Sequence, residues 1–309
     1  MNNMLMDPYG RVITSLRVSI TQRCNLNCIY CHEEGEERKP EREISLDTIV
    51  KTITMATEFG VKKIKFSGGE PLMRNDFEDI IMALPDLKDI SATTNGVLLS
   101  KRAASLAESG LDRVNISLPS LNKENYGKIT GSPHALHKVL DGIDAAIDAG
   151  LTPIKLNMVL LKDLNEFEID DAIHFADGYN GNVILQLIEL MNFKNVSQYM
   201  VDINGLEKTL ESRAAFIKER QMHRRKKYFI DGVEVELVRP IDNSSFCANC
   251  NRLRLTSTGK LKPCLMRNDN LIEIKDEATP DEIREMIKNA TKIREPYYKN
   301  NVKQVMCNI

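Results

Sequence analysis

The 309-residue sequence has almost no excess charge: 42 Lys and Arg stand against 44 Asp and Glu, a formal net of −2. That excludes a protein whose affinity rests on a broad basic surface meeting nucleic acid or anionic lipid, while leaving room for a local basic pocket. Tryptophan is absent, and no apolar run reaches the roughly 18 residues that a membrane-spanning helix needs. The opening residues, Met1-Asn2-Asn3-Met4-Leu5-Met6-Asp7-Pro8, lack the charged and apolar regions of a secretory signal, so the expectation is a soluble, cytoplasmic protein. Nor can seven cysteines form a disulfide framework. An odd number cannot fully pair within one chain, and a reducing compartment keeps thiols free. What the chain does have is 42 % hydrophobic residues, enough for a core, and length for two domains or a barrel with an appendage.

Six of the cysteines fall into two groups: Cys24, Cys28 and Cys31 in a C-x3-C-x2-C pattern, and Cys247, Cys250 and Cys264 in C-x2-C-x13-C. Cys307 stands alone in the tail and needs no role. Thiolates are soft ligands that select zinc, copper(I) or iron–sulfur clusters, so each group invites a metal.

Between the two groups, β-rich runs alternate with amphipathic helices. Strands are expected at Leu16 to Ile20, Lys63 to Ser67, Ile90 to Thr94, Arg113 to Leu118, Ile154 to Leu160 and Val183 to Leu190. Helices are expected at Leu46 to Phe59, with Ser45 as N-cap and Gly60 as stop, and at Asp76 to Leu84, Lys101 to Ser109, Leu136 to Ala149 and Glu166 to Ala176. Six β/α units in series call for parallel pairing with right-handed crossovers. The strands are not the unbroken apolar runs of a doubly covered sheet. Leu16, Val18 and Ile20 alternate with Arg17, Ser19 and Thr21, and Ile64 and Phe66 with Lys63, Lys65 and Ser67. Ser91, Thr93, Asn115, Ser117, Lys155 and Asn157 continue the pattern. If the apolar set faces the helices, the polar set lines a lumen containing Arg17, Lys65 and Lys155. The expected fold class is therefore α/β, an incomplete (βα)6 TIM-like barrel, wide enough to hold an anionic ligand. The alternative is a sheet with one solvated face.

Beyond Asn192 the pattern changes, and we expect a boundary there: a partial barrel over 1–192 and an α+β domain over 193–309. Ile203 to Lys227 reads as one charged amphipathic helix whose Arg224-Arg225-Lys226-Lys227 end is a solvated face. Val233 to Leu237 reads as an edge strand, Arg252 to Leu261 as a hairpin around Thr258-Gly259, and Asp281 to Arg294 as a last helix.

Cys24, Cys28 and Cys31 follow the first strand, where a barrel places its catalytic loops. Three thiolates on one loop hold three corners of a cubane and leave the fourth iron open; His32, next to Cys31, is poorly placed to close a zinc tetrahedron. The pattern, with Tyr30 before the last cysteine, resembles the radical S-adenosylmethionine (SAM) superfamily. The resemblance implies a cluster whose open iron chelates the amino and carboxylate groups of SAM and supplies a 5′-deoxyadenosyl radical. It also implies that Ser67-Gly68-Gly69-Glu70-Pro71 receives the methionyl amine. Tyr30, Gly68, Gly69, Glu70, Ser117 and Met191 match further positions near SAM.

The second group leaves two readings open: a three-cysteine zinc site completed by His223 or Cys307, or a second cluster with an open iron facing the lumen. Asn251-Arg252-Leu253-Arg254 lies between its members. As a whole the chain resembles the GTP 3′,8-cyclase family of molybdenum cofactor biosynthesis. That resemblance implies two [4Fe-4S] clusters, on Cys24, Cys28 and Cys31 and on Cys247, Cys250 and Cys264, with SAM at the first. It assigns GTP to Arg17, Lys65, Thr93, Lys155, Arg252, Leu253 and Arg254, with Arg17, Arg252 and Arg254 catalytic. The radical takes the ribose 3′-hydrogen, and the ribose carbon attacks C8 of guanine. A reductant such as ferredoxin or flavodoxin, a downstream cyclic pyranopterin monophosphate synthase and a homodimer belong to the same expectation; nucleic acid and membrane do not. The chain departs from the family pattern in three places. It ends Met306-Cys307-Asn308-Ile309 and not in Gly-Gly, Pro119 stands where an Asp is usual, and Gln186 stands where an Arg is common. The rival expectations are a radical SAM enzyme acting on a peptide or another nucleotide, and a zinc-stabilised nucleotide-binding module without catalysis.

Overall fold

A computed structural model describes residues 4–36, 42–193, 195–220, 222–241 and 244–296; Cys307 and the departing tail lie outside them. The first two thirds run β1 (Ser15–Ser19), α1 (Leu46–Glu58), β2 (Lys63–Ser67), α2 (Phe77–Met82), β3 (Asp89–Thr94), α3 (Ala103–Glu108), β4 (Arg113–Ser117), α4 (Lys123–Thr130), α5 (Leu136–Asp148), β5 (Ile154–Val159), α6 (Ile169–Asp177) and β6 (Val183–Ile188). The remainder adds α7 (Ile203–Arg213), β7 (Phe216–Glu219), β8 (Lys226–Ile230), β9 (Val233–Val238), α8 (Ser244–Ala248), β10 (Arg252–Leu255), β11 (Lys260–Lys262), β12 (Ile272–Glu273) and α9 (Pro280–Lys292).

Local chemistry sets several of these limits. The Ser45 hydroxyl accepts from the Thr48 amide to start α1, and Gly60 at φ +90° ends its turn, as expected from the sequence. The unexpected α4 is capped at both ends, by Asn122, whose side chain accepts from the amides of Glu124 and Asn125, and by Gly131 in the left-handed region. Its polar stretch with an internal glycine carries little helical periodicity, so the caps are its main signal.

The described strands form one sheet in the order β12-β11-β10-β1-β2-β3-β4-β5-β6-β9-β8-β7. From β10 to β9 every neighbouring pair is parallel. The C-terminal third thus adds one parallel strand to each edge of the six β/α strands, and an antiparallel extension beyond each. Two expectations are corrected. The helix from Ile203 stops at Arg213, and the following residues pair as β7 and β8, held by Phe216 stacked on Phe229 at 4.1 Å. Val233 to Leu237 lies inside the sheet between β6 and β8, not at its edge.

The core lies between sheet and helices. Leu16, Val18, Ile64, Phe66, Val114, Ile116, Leu156 and Leu185 are buried there, against helix residues such as Ile49, Ile53, Val139 and Ile143. Helix α9 carries a capping box on Thr279 and Glu282, packs on α1, and buries Ile283, Ile287 and Ala290.

Candidate active site

The polar set faces an enclosed lumen, not solvent: Ser91, Asn115, Gln186 and Glu236 lie on that face and are buried. Strand register builds it. Arg17 stands beside Arg254 on one side and Lys65 on the other, and Lys65 beside Ser91. Thr93 pairs with Asn115 and Asn115 with Lys155, while Asn157 pairs with Gln186 and Gln186 with Glu236. The side chain of Leu253 turns the other way into the core, which leaves only its main chain available to a ligand.

Charge in this lumen is unbalanced. Among the described residues Lys65 has no acidic partner; burial and the nearby Arg17, Arg113, Arg252 and Lys155 hold its ammonium far below the usual lysine range. Arg252 is likewise lowered by burial, then by Arg17 and Arg254. Arg17 Nε, Thr93 Oγ1, Asn115 Oδ1, Asn157 Oδ1 and Arg252 Nε are enclosed without hydrogen-bond partners. Buried polar atoms are nearly always satisfied, so these point to a polar ligand.

Two carboxylates that the sequence reading did not single out reach into the same space. Glu34, three residues after Cys31, meets Arg254 at 2.6 Å and Arg17 at 3.3 Å. Burial opposes its charge, but Arg17 and Arg254 prevail and hold its carboxyl well below the usual range. From β9, Glu236 accepts from Lys155 at 2.7 Å, from Gln186 at 2.6 Å and from Arg220 at 3.1 Å, with Arg225 at 3.3 Å. Burial brings Lys155 down to about 8 against the pull of Glu236. The expected solvated face at Arg224 to Lys227 is thereby corrected in part: Arg225, just before β8, turns inward to Glu236, while Arg224 stays exposed and Lys226 turns out to Glu207 and Glu211.

The first cysteine group follows the carboxyl end of β1. Cys24, Cys28 and Cys31 are half-buried and line one pocket with Thr21, Gly68 and Gly69. The loop is pinned to α4, with Asn27 N donating to Thr130 O and Ile29 N to Ile129 O, both at 3.0 Å. Tyr30 packs against Ile129, Leu161, Leu190 and Val196. Gly68 and Gly69 let the end of β2 lie against this loop. A Cβ on either would meet the carbonyl of Thr21 or Arg23 at 2.3 Å, where Gly69 N and Glu70 N donate instead. The Glu70 carboxylate is fully enclosed and accepts from Leu72 N, Thr94 Oγ1 and Asn95 N, so it also holds the turn. Asn95, also missed from sequence, donates toward Cys24 Sγ at 3.8 Å. Ser117 ends β4 half-buried, and Met191 follows β6 in the same state. Of the departing residues, Pro119 is buried with its carbonyl taken by Asn165, and Gln186 is taken by Glu236.

The second group lies at the opposite mouth. Cys250 precedes β10 by two residues, and β10 runs parallel to β1, so this triad and the first flank the strand pair from its two ends. The β10–β11 hairpin turns through Thr256 to Gly259 and returns antiparallel, with Arg254 opposite Lys262, which brings Cys264 back beside the start of β10. The long second spacing of this cysteine pattern is thus the length of a hairpin. His223 stacks on Phe246 at 3.7 Å, buried with Nε2 unpartnered. Burial and four surrounding arginines keep its imidazole neutral.

Among the described residues no three of His, Cys, Asp and Glu converge as the ligands of a single ion do. The donor sets are three soft thiols each, spread along a loop, which suits a cubane whose irons occupy separate corners. The lumen between them, with cations lacking counter-charges and unpartnered polar atoms, suits an anionic polar substrate.

Comparison with known proteins agrees with this geometry. Residues 18–176 match the radical SAM superfamily and residues 183–300 the family described as Molybdenum Cofactor Synthesis C. A probable GTP 3′,8-cyclase of Methanosarcina acetivorans is 56 % identical over 96 % of this chain and 90 % of its own length. One of Archaeoglobus fulgidus is 46 % identical over 96 % of this chain and 100 % of its own. Among solved structures, Streptococcus suis SuiB bound to S-adenosylmethionine shares the fold at a TM-score of 0.65 and 15 % identity, over 86 % of this chain and 64 % of that one. Native anSMEcpe with bound AdoMet does so at 0.58 and 16 %, over 92 % and 83 %. The chain belongs to the GTP 3′,8-cyclase family of the radical SAM superfamily.

Proposed function

We propose that the chain is a lyase that binds GTP along the lumen and converts it to 3′,8-cyclo-7,8-dihydro-GTP, the first step of molybdenum cofactor biosynthesis. The observation that carries this reading is the row Arg254–Arg17–Lys65 on three adjacent strands, in which Lys65 has no acidic partner among the described residues. Glu34 balances one of the three charges, and the excess, with Arg252 beside it, suits an anion of several charges such as a triphosphate. Cys24, Cys28 and Cys31 would hold the [4Fe-4S] cluster that, with SAM, would supply the 5′-deoxyadenosyl radical that takes the ribose 3′-hydrogen and leaves as 5′-deoxyadenosine. Cys247, Cys250 and Cys264 would hold the second [4Fe-4S] cluster at the mouth where the base lies.

The protein's own part is position and exclusion of water. Lys65, Lys155, Arg252 and Arg254 hold phosphate oxygens; Thr93 and the main chain at Leu253 supply neutral hydrogen bonds. Arg17 bridges the phosphate row and the reacting ribose, and assists reduction of the cyclised substrate radical. Glu34 fills the place of the substrate's charge until substrate displaces it. Gly68, Gly69, Tyr30, Ser117 and Met191 shape the SAM pocket. The reading carries with it a boundary near residue 192, a one-electron donor of ferredoxin or flavodoxin type, a cyclic pyranopterin monophosphate synthase to take the product, and a homodimer. Among the described residues no helix is long and apolar enough to cross a membrane.

Anaerobically reconstituted protein given GTP, SAM and reductant is expected to yield 5′-deoxyadenosine in step with a cyclised nucleotide seen by mass spectrometry. Equal 5′-deoxyadenosine without GTP, and no cyclised nucleotide, would overturn the reading.

A further inference from the structure

Behind the second cysteine group lies a buried ionic triad made from both ends of the described chain. Asp7 is fully enclosed, and its Oδ2 accepts from Arg11 Nε at 2.7 Å and from Arg294 Nη1 at 2.6 Å. Asp7 Oδ1 accepts from the amides of Tyr9 and Arg11, which fixes the carboxylate within its own turn. Each guanidinium then reaches the cysteine turn: Arg11 Nη1 donates to Cys247 O at 3.0 Å, and Arg294 Nη2 donates to Cys250 O at 2.7 Å. Two further N–H groups, Arg11 Nη2 and Arg294 Nε, are buried with no partner among the described residues.

Stability does not account for this arrangement. Ionic groups buried together lose their hydration, and apolar residues of similar size often serve stability as well. The triad keeps one net positive charge and two unspent donors beside thiols that carry negative charge once they bind metal. Hydrogen bonds to cluster sulfur and nearby charge are what set an iron–sulfur potential.

We propose that Arg11 and Arg294, yoked by Asp7, are positioning residues for the second iron–sulfur cluster: they grip the Cys247–Cys250 turn by its carbonyls and donate N–H bonds to cluster sulfur, which makes the cluster easier to reduce. The inference rests on the reading that the second group holds a cluster. The test therefore uses the full chain with Cys24, Cys28 and Cys31 all replaced by Ala, so that one cluster remains, reconstituted anaerobically and titrated with reductant while its paramagnetic signal is followed. Arg294→Gln and Arg11→Gln each remove a positive charge and are expected to shift the midpoint potential down; Asp7→Asn removes the negative charge and is expected to shift it up. Arg294→Lys restores the charge without the fork and should fall between Arg294→Gln and the parent. A merely structural triad lowers iron loading and thermal midpoint in every variant, yet leaves the potential of the loaded cluster unmoved, or moves it the same way in all. Either result overturns the proposal. A parent that takes up no iron instead overturns the reading beneath it. Should Arg294→Gln not fold, Arg11→Gln and Asp7→Asn still give the two opposite shifts.

Discussion

Lys155 is a residue whose protonation and partner compete. Glu236 holds its ammonium from one side, Arg220 and Arg225 oppose it, and burial brings it to about 8. A phosphate binds the protonated form and raises its pKa in the complex. Through Lys155, affinity for GTP is therefore expected to fall by up to about tenfold per unit as the pH rises above 8, since a proton must be taken up on binding. Equilibrium binding in the parent and in Lys155→Arg checks this: the variant should lose that part of the decline and keep the part that belongs to Lys65. Glu34 and Arg254 make a paired case. Loss of a charge-assisted bond in Arg254→Ala should weaken GTP binding by about 1.5–3 kcal/mol. Removing the resident carboxylate in Glu34→Gln should tighten it several-fold; calorimetric titration of both variants reads the two signs, and unchanged affinity in either contradicts its role.

At the scale of elements, the β10–β11 hairpin decides where the third cysteine goes. Its turn needs Gly259 at φ +82°, where an added Cβ would also press on Ile274 O at 3.1 Å. Gly259→Ala is expected to open the hairpin and displace Cys264, so that iron analysis finds roughly four irons per chain where the parent holds about eight. The hairpin was legible in the sequence, as were the six β/α units, because period-two and period-3.6 patterns are local. The segment from Ala214 to Lys227 was not. Its charged run reads as a helix until β7 folds back on β8. Val233 to Leu237 reads as a strand, but nothing within it announces that β9 joins β6 across an intervening helix and hairpin. Arg225 and Glu236, both in the lumen, could not be placed for want of those partners. Glu34 follows Cys31 by three residues, in an acidic stretch where no pattern marks which carboxylate turns inward.

For the whole molecule, parallel pairing is carried from β10 to β9, so both cysteine groups belong to one sheet. Replacing either triad by Ala should leave about four irons and a brown chromophore, while replacing both should leave none; stoichiometric zinc in the parent would contradict two clusters. Such a sheet also explains why the ion triad is not legible in the sequence, since Arg294 and Asp7 are 287 residues apart and meet only when the last helix docks on α1 and β11.

The register of β1 against β10 has one more consequence. Leu16 opposite Leu253 and Val18 opposite Leu255 lock two short strands whose opposite ends carry the two thiol loops. Five residues at about 3.3 Å each make the gap roughly 16 Å. That span works as a gauge: it holds the two thiol loops at opposite mouths of the lumen, and a register slip of a single residue would move one loop about 3.3 Å against the other and turn the lumen face of β10 into the core.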